Sequence, residues 1–130
     1  MEDDDDAPKL IRTDFSDETS WEALLEAAMA EGEMGYTANF SRVEDEQHDG
    51  ADTDALFEAF PDEAVLYVAD DHAMSDQSWP ILVVDTETGA EFRVRAGDAW
   101  AVENNLTLGN MSFDEAMDML DEDGVFQPPV

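Results

Sequence analysis

Cysteine is absent from the 130 residues. That absence removes disulfide bonds, thiolate nucleophiles and zinc–thiolate sites together. Basic residues are almost as scarce: five lysines and arginines stand against 35 aspartates and glutamates, a formal charge of -30 at pH 7. A surface of that sign repels phosphate, which argues against direct nucleic-acid binding. No apolar run approaches the ~20 residues of a membrane-spanning helix. The opening MEDDDDAPKL carries the opposite charge from a secretory or transit leader. These absences predict a soluble cytoplasmic protein without membrane contact. Catalytic signatures are missing too: no Gly-rich phosphate loop, no nucleophile elbow and no paired-histidine helix. The sequence therefore predicts a non-catalytic protein with no cofactor.

What is present is a foldable chain. It is 43% hydrophobic and 9% aromatic, too apolar for an acidic disordered segment. Its length suits a single domain. Glu2 and Asp3 to Asp6 repel one another, so residues 1–8 read as a disordered acidic tail, 9–126 as one domain and 127–130 as a C-terminal tail. The remaining acids are spread along the whole sequence. Three origins compete for this excess: salt adaptation, mimicry of a nucleic acid to occupy a basic partner, or ordinary acidity. Salt adaptation is preferred. In ~1 M salt the Debye length falls to ~3 Å, so a dense carboxylate coat hydrates the surface with little self-repulsion. A mimic needs its acids gathered on one face, and an even spread does not suggest that. One lysine against four arginines fits the same reading, because the long lysine stem is a poor surface group where salt drives apolar matter out of water.

The pattern of elements reads β-α-β-α-β-β-β-α-α. KLIRTDF forms a strand, and Ser16-Asp17 offer helix caps, with Thr19 and Glu22 spaced as a capping box. Trp21, Leu24, Leu25, Ala28 and Met29 then make one helical stripe. Tyr36 to Val43 alternates as a half-exposed strand. Glu44 to Asp52 reads as an acidic loop, and Thr53 as the cap of a short helix holding Leu56, Phe57 and Phe60. Ala64–Ala69 and Ile81–Val84 are apolar without alternation, as in strands buried on both faces. The polar stretch Asp70 to Ser78 between them has room for one helical turn. Gly89 turns a hairpin into EFRVRA, with Phe92 and Val94 inward and Arg93 and Arg95 outward. Helices follow from Asp98 and from the capping box Ser112–Glu115, and Val125-Phe126 tuck back. The expected architecture is an α/β sandwich, a mixed sheet of about five strands with helices packed on it. All five basic residues, Lys9, Arg12, Arg42, Arg93 and Arg95, fall in predicted strands.

Few residues suggest chemistry. The loop Asp45 to Leu56 has the acidity of a calcium loop but not its pattern: position 3 is Gln47, and position 12 is Leu56 where a bidentate glutamate belongs. Asp70, Asp71 and His72 follow a buried strand, where α/β sites often lie, and are weak candidates for an acid, a base or a metal ligand. The more informative segment is Ala99 to Phe113, which holds one acid, Glu103, among amides and large apolar residues. Trp100, Glu103, Asn104, Asn105, Asn110 and Met111 form a candidate interaction patch, since charge-poor, amide- and aromatic-rich surface is the composition of contact sites. The competing reading places Trp100 and Leu106 in the core, with the asparagines closing turns.

The pieces LIRTDFSDETSWEAL, AVLYVAD, PILVVDT, FRVRAGDAWAVENNLTLGNMSFDEA and DEDGVF resemble a family of small acidic bacterial proteins known as a domain of unknown function. The stretch from Trp100 to Phe113 is the most specific part of the likeness. The loops at Glu44–Asp52 and after Asp70 are richer in charge here than in the family. The resemblance implies one domain and no activity, cofactor or substrate. The combined expectation is a protein-interaction module, monomeric or weakly dimeric through the edge strand, with an unknown protein partner and no direct nucleic acid. The alternative is an acidic inhibitor, of immunity or DNA-mimic type, that blocks a basic nuclease or DNA-binding protein.

Overall fold

In the computed structural model, which describes residues 8–30, 40–76, 78–107 and 112–126, the strands are β1 (Lys9–Arg12), β2 (Ser41–Val43), β3 (Val65–Ala69), β4 (Pro80–Asp85) and β5 (Glu91–Arg95). The helices are α1 (Glu18–Met29), α2 (Thr53–Ala59), α3 (Asp71–Ser75), α4 (Ala99–Thr107) and α5 (Phe113–Met117). The five strands form one mixed sheet in the order β2-β1-β3-β4-β5. β1 runs parallel to both β2 and β3, and β4 is antiparallel to β3 and β5. This is the α/β mixed sheet expected. Of the expected tails, 1–8 and 127–130, all but Pro8 lies outside the described residues. Pro8, placed in the first of them, accepts a hydrogen bond from Ser41 N–H at 2.9 Å.

α1 forms because Trp21, Leu24, Leu25 and Ala28 bury one stripe. Its cap is Asp17, not Thr19: the Asp17 carboxylate accepts from Thr19 N–H at 3.0 Å and Ser20 N–H at 3.2 Å. Thr19 and Glu22 are already helical, so they have no cap to make. The bonds from Ser20 hold the Asp17 carboxyl below the usual carboxylate range. Likewise Asp52, not Thr53, caps α2 through Ala55 N–H at 2.9 Å. Arg12 pins the start of α1. Its buried guanidinium lies 4.4 Å from the Phe15 ring and 5.4 Å from the Trp21 ring, and Nη1 donates to Glu18 at 2.9 Å.

The faces of the sheet are covered unequally. Leu10, Tyr67, Ile81, Val83, Phe92 and Val94 pack beneath residues of α1, α3, α4 and α5. The opposite face, Ile11, Leu66, Val68, Leu82 and Val84, is covered by α2 through Leu56, with Phe57 and Phe60 beside it. β4 is buried on both faces, the reason ILVV shows no alternation. β5 alternates, with Phe92 and Val94 on the thick side and Glu91, Arg93 and Arg95 on the thin side. Its outer edge is closed by the C-terminal segment: Arg93 N–H donates to Gly124 O at 3.1 Å and Phe126 N–H to Arg93 O at 2.7 Å. Phe126 is fully buried, so the tuck expected for Val125-Phe126 is present. At the other edge, β2 covers the end of the expected Tyr36–Val43, and Phe40 precedes it. The strand spans Ser41–Val43, and 36–39 lie outside the described residues.

The acidic loop after β2 contains a 3-10 turn at Glu46–His48. His48 is buried there, its ring 5.4 Å from that of Phe60. Gly50 N–H donates to Thr13 O at 2.8 Å, which ties this loop to the end of β1.

Candidate functional site

Asp70 stands at the carboxyl end of β3. Its carboxylate caps α3, accepting from Ala73 N–H at 3.0 Å. The helical turn for which the polar stretch Asp70 to Ser78 has room is α3 itself, five residues long and so too short to show periodicity. The Asp70 carboxylate also receives Arg93. That side chain leaves β5 opposite Leu82, passes the start of β4 and donates Nη1 to Oδ1 at 2.9 Å, Nη2 to Oδ2 at 2.8 Å and Nη1 to Pro80 O at 3.0 Å. Burial alone raises the Asp70 carboxyl. The Arg93 hydrogen bonds, the Ala73 N–H and the charges of Arg93 and His72 outweigh it, and the net position lies below the usual range. Asp70 is thus a cap and an anchor for arginine. Asp71 and His72 are exposed on the first turn of α3, and Asp71 Oδ1 accepts from His72 N–H at 2.9 Å. Among the described residues no group of three or more His, Asp or Glu is arranged to hold a metal ion.

Two hollows flank the Asp70–Arg93 pair. The first, about 350 Å³, lies at the carboxyl ends of β1 and β3, between Asp14, Asp49, Asp70 and Asp71. The second, about 440 Å³, lies beside β5 and mixes charges: His72, Asp76, Arg93, Arg95, Asp121 and Asp123. Its rim holds an unusual backbone. Trp79 has φ 51°, a left-handed conformation that costs a bulky residue ~1–3 kcal/mol. It is held there by Ala96 N–H, which approaches Ser78 O at 3.3 Å and Trp79 O at 3.0 Å. Strand register brings Arg93 and Arg95 to one face, two residues apart. The strand alternation marks both as outward-facing, with no site attached to them. The two-residue spacing of two bases in so acidic a chain was the available signal.

The predicted patch divides. Trp100 and Asn104 are half-buried on α4, and Asn104 Nδ2 donates to Trp100 O at 2.9 Å and Glu103 Oε1 at 3.4 Å. Glu103 corrects the expectation: it is 4% exposed, beneath the surface rather than on it. Helical phase explains this, since Ala99, Val102 and Leu106 turn inward and Glu103 falls one turn after Ala99 on that side. Burial, with the Glu103 charge as a second cause, raises the Tyr67 hydroxyl well above its ordinary value. The side chain of Asn105, and Asn110 and Met111 entirely, lie outside the described residues. Beyond the patch, Phe113, Met117, Met119 and Leu120 are also half-buried against the same core as Trp100 and Leu106.

Among the described residues no helix is long and apolar enough to cross a membrane. No curated protein matches the chain. The family model of a domain of unknown function, DUF6924, matches residues 7–129; this span contains every strand and helix described above, and the chain belongs to that family.

Proposed function

We propose that the chain is a non-catalytic recognition module with a salt-adapted surface, and that a protein partner seats on the α4–α5 side. The observation that carries this reading is the set of large apolar side chains left half-buried there: Trp100, Leu106, Phe113, Met117, Met119 and Leu120. In contrast, α1 seals Trp21, Leu24 and Leu25 against the sheet. A carboxylate-coated protein that leaves several apolar groups partly wet in one region has the composition of a contact core inside an anionic rim. Like charge on that rim excludes wrong partners.

The salt-adapted surface draws support from placement. Exposed acids ride on α1 over one face (Glu18, Glu22, Glu26), on α2 over the other (Asp54, Glu58), and on the turn after α5 (Glu122, Asp123). A phosphate mimic calls for one stripe, so the inhibitor alternative receives no comparable support. The test places a photo-crosslinking residue at position 104 and, as a control, at 87 on the β4–β5 hairpin. Cells are lysed in high salt, and the captured protein is then purified and titrated directly. The reading predicts one partner captured from position 104 and not from 87, with affinity lost at least ten-fold in Trp100→Ala or Met117→Ala. Equal capture at both positions, or affinity unmoved by both substitutions, refutes it.

A further inference from the structure

The hollow beside β5 supports a second inference, independent of the α4–α5 surface. Two of the five basic residues are engaged away from this hollow. Lys9 approaches Glu63 at 3.9 Å, and Arg12 is fixed on Glu18. Arg93 and Arg95 differ because they line a cavity. A guanidinium has five N–H donors, and Arg93 uses three of them on Asp70 and Pro80. The N–H on Nε and the second on Nη2 have no partner among the described residues. By the covalent geometry of the group these two form a parallel fork, the shape that grips a carboxylate. Arg95 is held more loosely, at 3.2 Å from Asp98 and 4.0 Å from Asp121, with 40% of its side chain exposed. The bidentate grip of Asp70 orients Arg93 in advance, so little freedom is lost when a ligand arrives.

The acids of the cavity are also set in place by their own turns. Asp76 Oδ1 accepts from Ser78 N–H at 2.9 Å and Oγ–H at 2.8 Å, which holds its carboxyl below the usual range. Asp121 Oδ1 accepts from Asp123 N–H at 2.9 Å and Val125 N–H at 3.0 Å. The lining sets two guanidinium groups, Arg93 and Arg95, against three carboxylates, Asp76, Asp121 and Asp123. A simple anion meets those carboxylates and the field of the whole protein. A simple cation meets the arginines. A ligand carrying both charges satisfies both. Among the described lining residues there is no Phe, Tyr or Trp, so they form no cage of the kind that selects quaternary ammonium groups, and their carboxylates suit an ammonium that donates hydrogen bonds. The volume, about 440 Å³, falls within the range of small-molecule sites.

We propose that this cavity binds a zwitterion of the α-amino-acid class, its carboxylate on Arg93 and Arg95 and its primary ammonium on Asp76 and Asp123. Calorimetric titration of the full chain in about 1 M KCl, where long-range repulsion is screened, tests it with L-alanine, L-glutamine and alanyl-glutamine. Acetate, ethylamine and glycine betaine are the single-charge and quaternary controls. The proposal predicts that at least one amino-acid probe binds with a Kd of about 1 mM or tighter and that every control binds at least ten-fold more weakly. Arg95→Met and Asp123→Asn are each expected to weaken that probe about ten-fold, while Glu87→Gln at the hairpin leaves it unchanged. Asp123 lies on an exposed turn, so its variant stands as a test even if Arg95→Met fails to fold. No saturable binding of any amino-acid probe, acetate or betaine binding as tightly, or binding unmoved in Asp123→Asn overturns the assignment.

Discussion

Asparagine at position 70 separates two roles that one carboxylate now performs. Asn caps a helix about as well as Asp, so Asp70→Asn keeps the bond to Ala73 N–H and removes the charge facing Arg93. Both side chains of this pair are about a fifth exposed, 20% and 21%. That places them between exposed pairs, worth ~0–1 kcal/mol, and fully buried pairs, where removing one partner costs ~3–5 kcal/mol. With two parallel bonds at 2.9 and 2.8 Å, the expected loss is ~2 kcal/mol for Asp70→Asn. Asp70→Ala also deletes the cap of α3, for ~1 kcal/mol more. Arg93→Met keeps the apolar stem, and the cycle Asp70→Asn/Arg93→Met isolates a coupling of ~1.5–2.5 kcal/mol. Urea is the denaturant of choice, because it is non-ionic and leaves screening untouched; midpoints are compared at constant m. The coupling should persist in about 1 M KCl, since partly buried pairs are screened less than exposed ones. A coupling below ~0.5 kcal/mol, the value of a surface pair, would refute the claim that Arg93 is anchored on Asp70.

The carboxylate coat predicts that stability rises when KCl increases from about 0.1 M to about 1 M, as the Debye length shrinks from ~10 to ~3 Å; a flat or falling Tm by circular dichroism would contradict it. Asp70 is held below its unfolded value of ~3.9, so its contribution is complete above that pH and is lost as pH falls through the lower folded value. The urea midpoint of wild type should therefore drop more steeply below about pH 4 than that of Asp70→Asn. Ser112→Ala removes the side-chain half of a reciprocal cap, Ser112 Oγ with Glu115 N–H at 3.1 Å and Glu115 Oε1 with Ser112 N–H at 3.0 Å; it should cost ~1 kcal/mol and speed amide exchange in α5. Leu56→Ala opens the thinly covered face and should cost ~2–5 kcal/mol, whereas Met29→Ala, at 38% exposure, should stay within ~0.5 kcal/mol by the same denaturation assay.

The strands and the long helix were legible because each follows from a local pattern. AVLYVA and ILVV lack alternation since helices or neighbouring loops cover both faces, and the Trp21–Ala28 stripe is a plain helical period. Residues whose role depends on two distant elements were not legible. Arg93 reaches Asp70 only because β4 inserts antiparallel between β3 and β5, a fact of strand order that no spacing encodes. α3 is too short for periodicity. Asp17, one of the two caps expected, does cap α1, whereas the Thr19–Glu22 capping box does not form, because the backbone opens the helix at Glu18 and both residues are already inside it. Glu103 was read by composition; its helical phase, one turn beyond Ala99, was the better guide. Of the candidate site, Asp70, Asp71 and His72 stand out in the sequence, but for chemistry; their arginine neighbours come from the fold.

One feature of the sheet reaches into the bench handling of the protein. Every lysine and arginine of the chain lies within a strand: Lys9 and Arg12 in β1, Arg42 in β2, Arg93 and Arg95 in β5. Trypsin cuts after these residues alone and requires an extended, unpaired backbone in its cleft. Digestion is thus gated by opening of the sheet itself, with the edge residue Arg42 the first to yield. A protease that cuts after glutamate meets its targets all over the surface. The two enzymes together turn a simple gel into a gauge that tells fraying of the periphery from opening of the whole molecule.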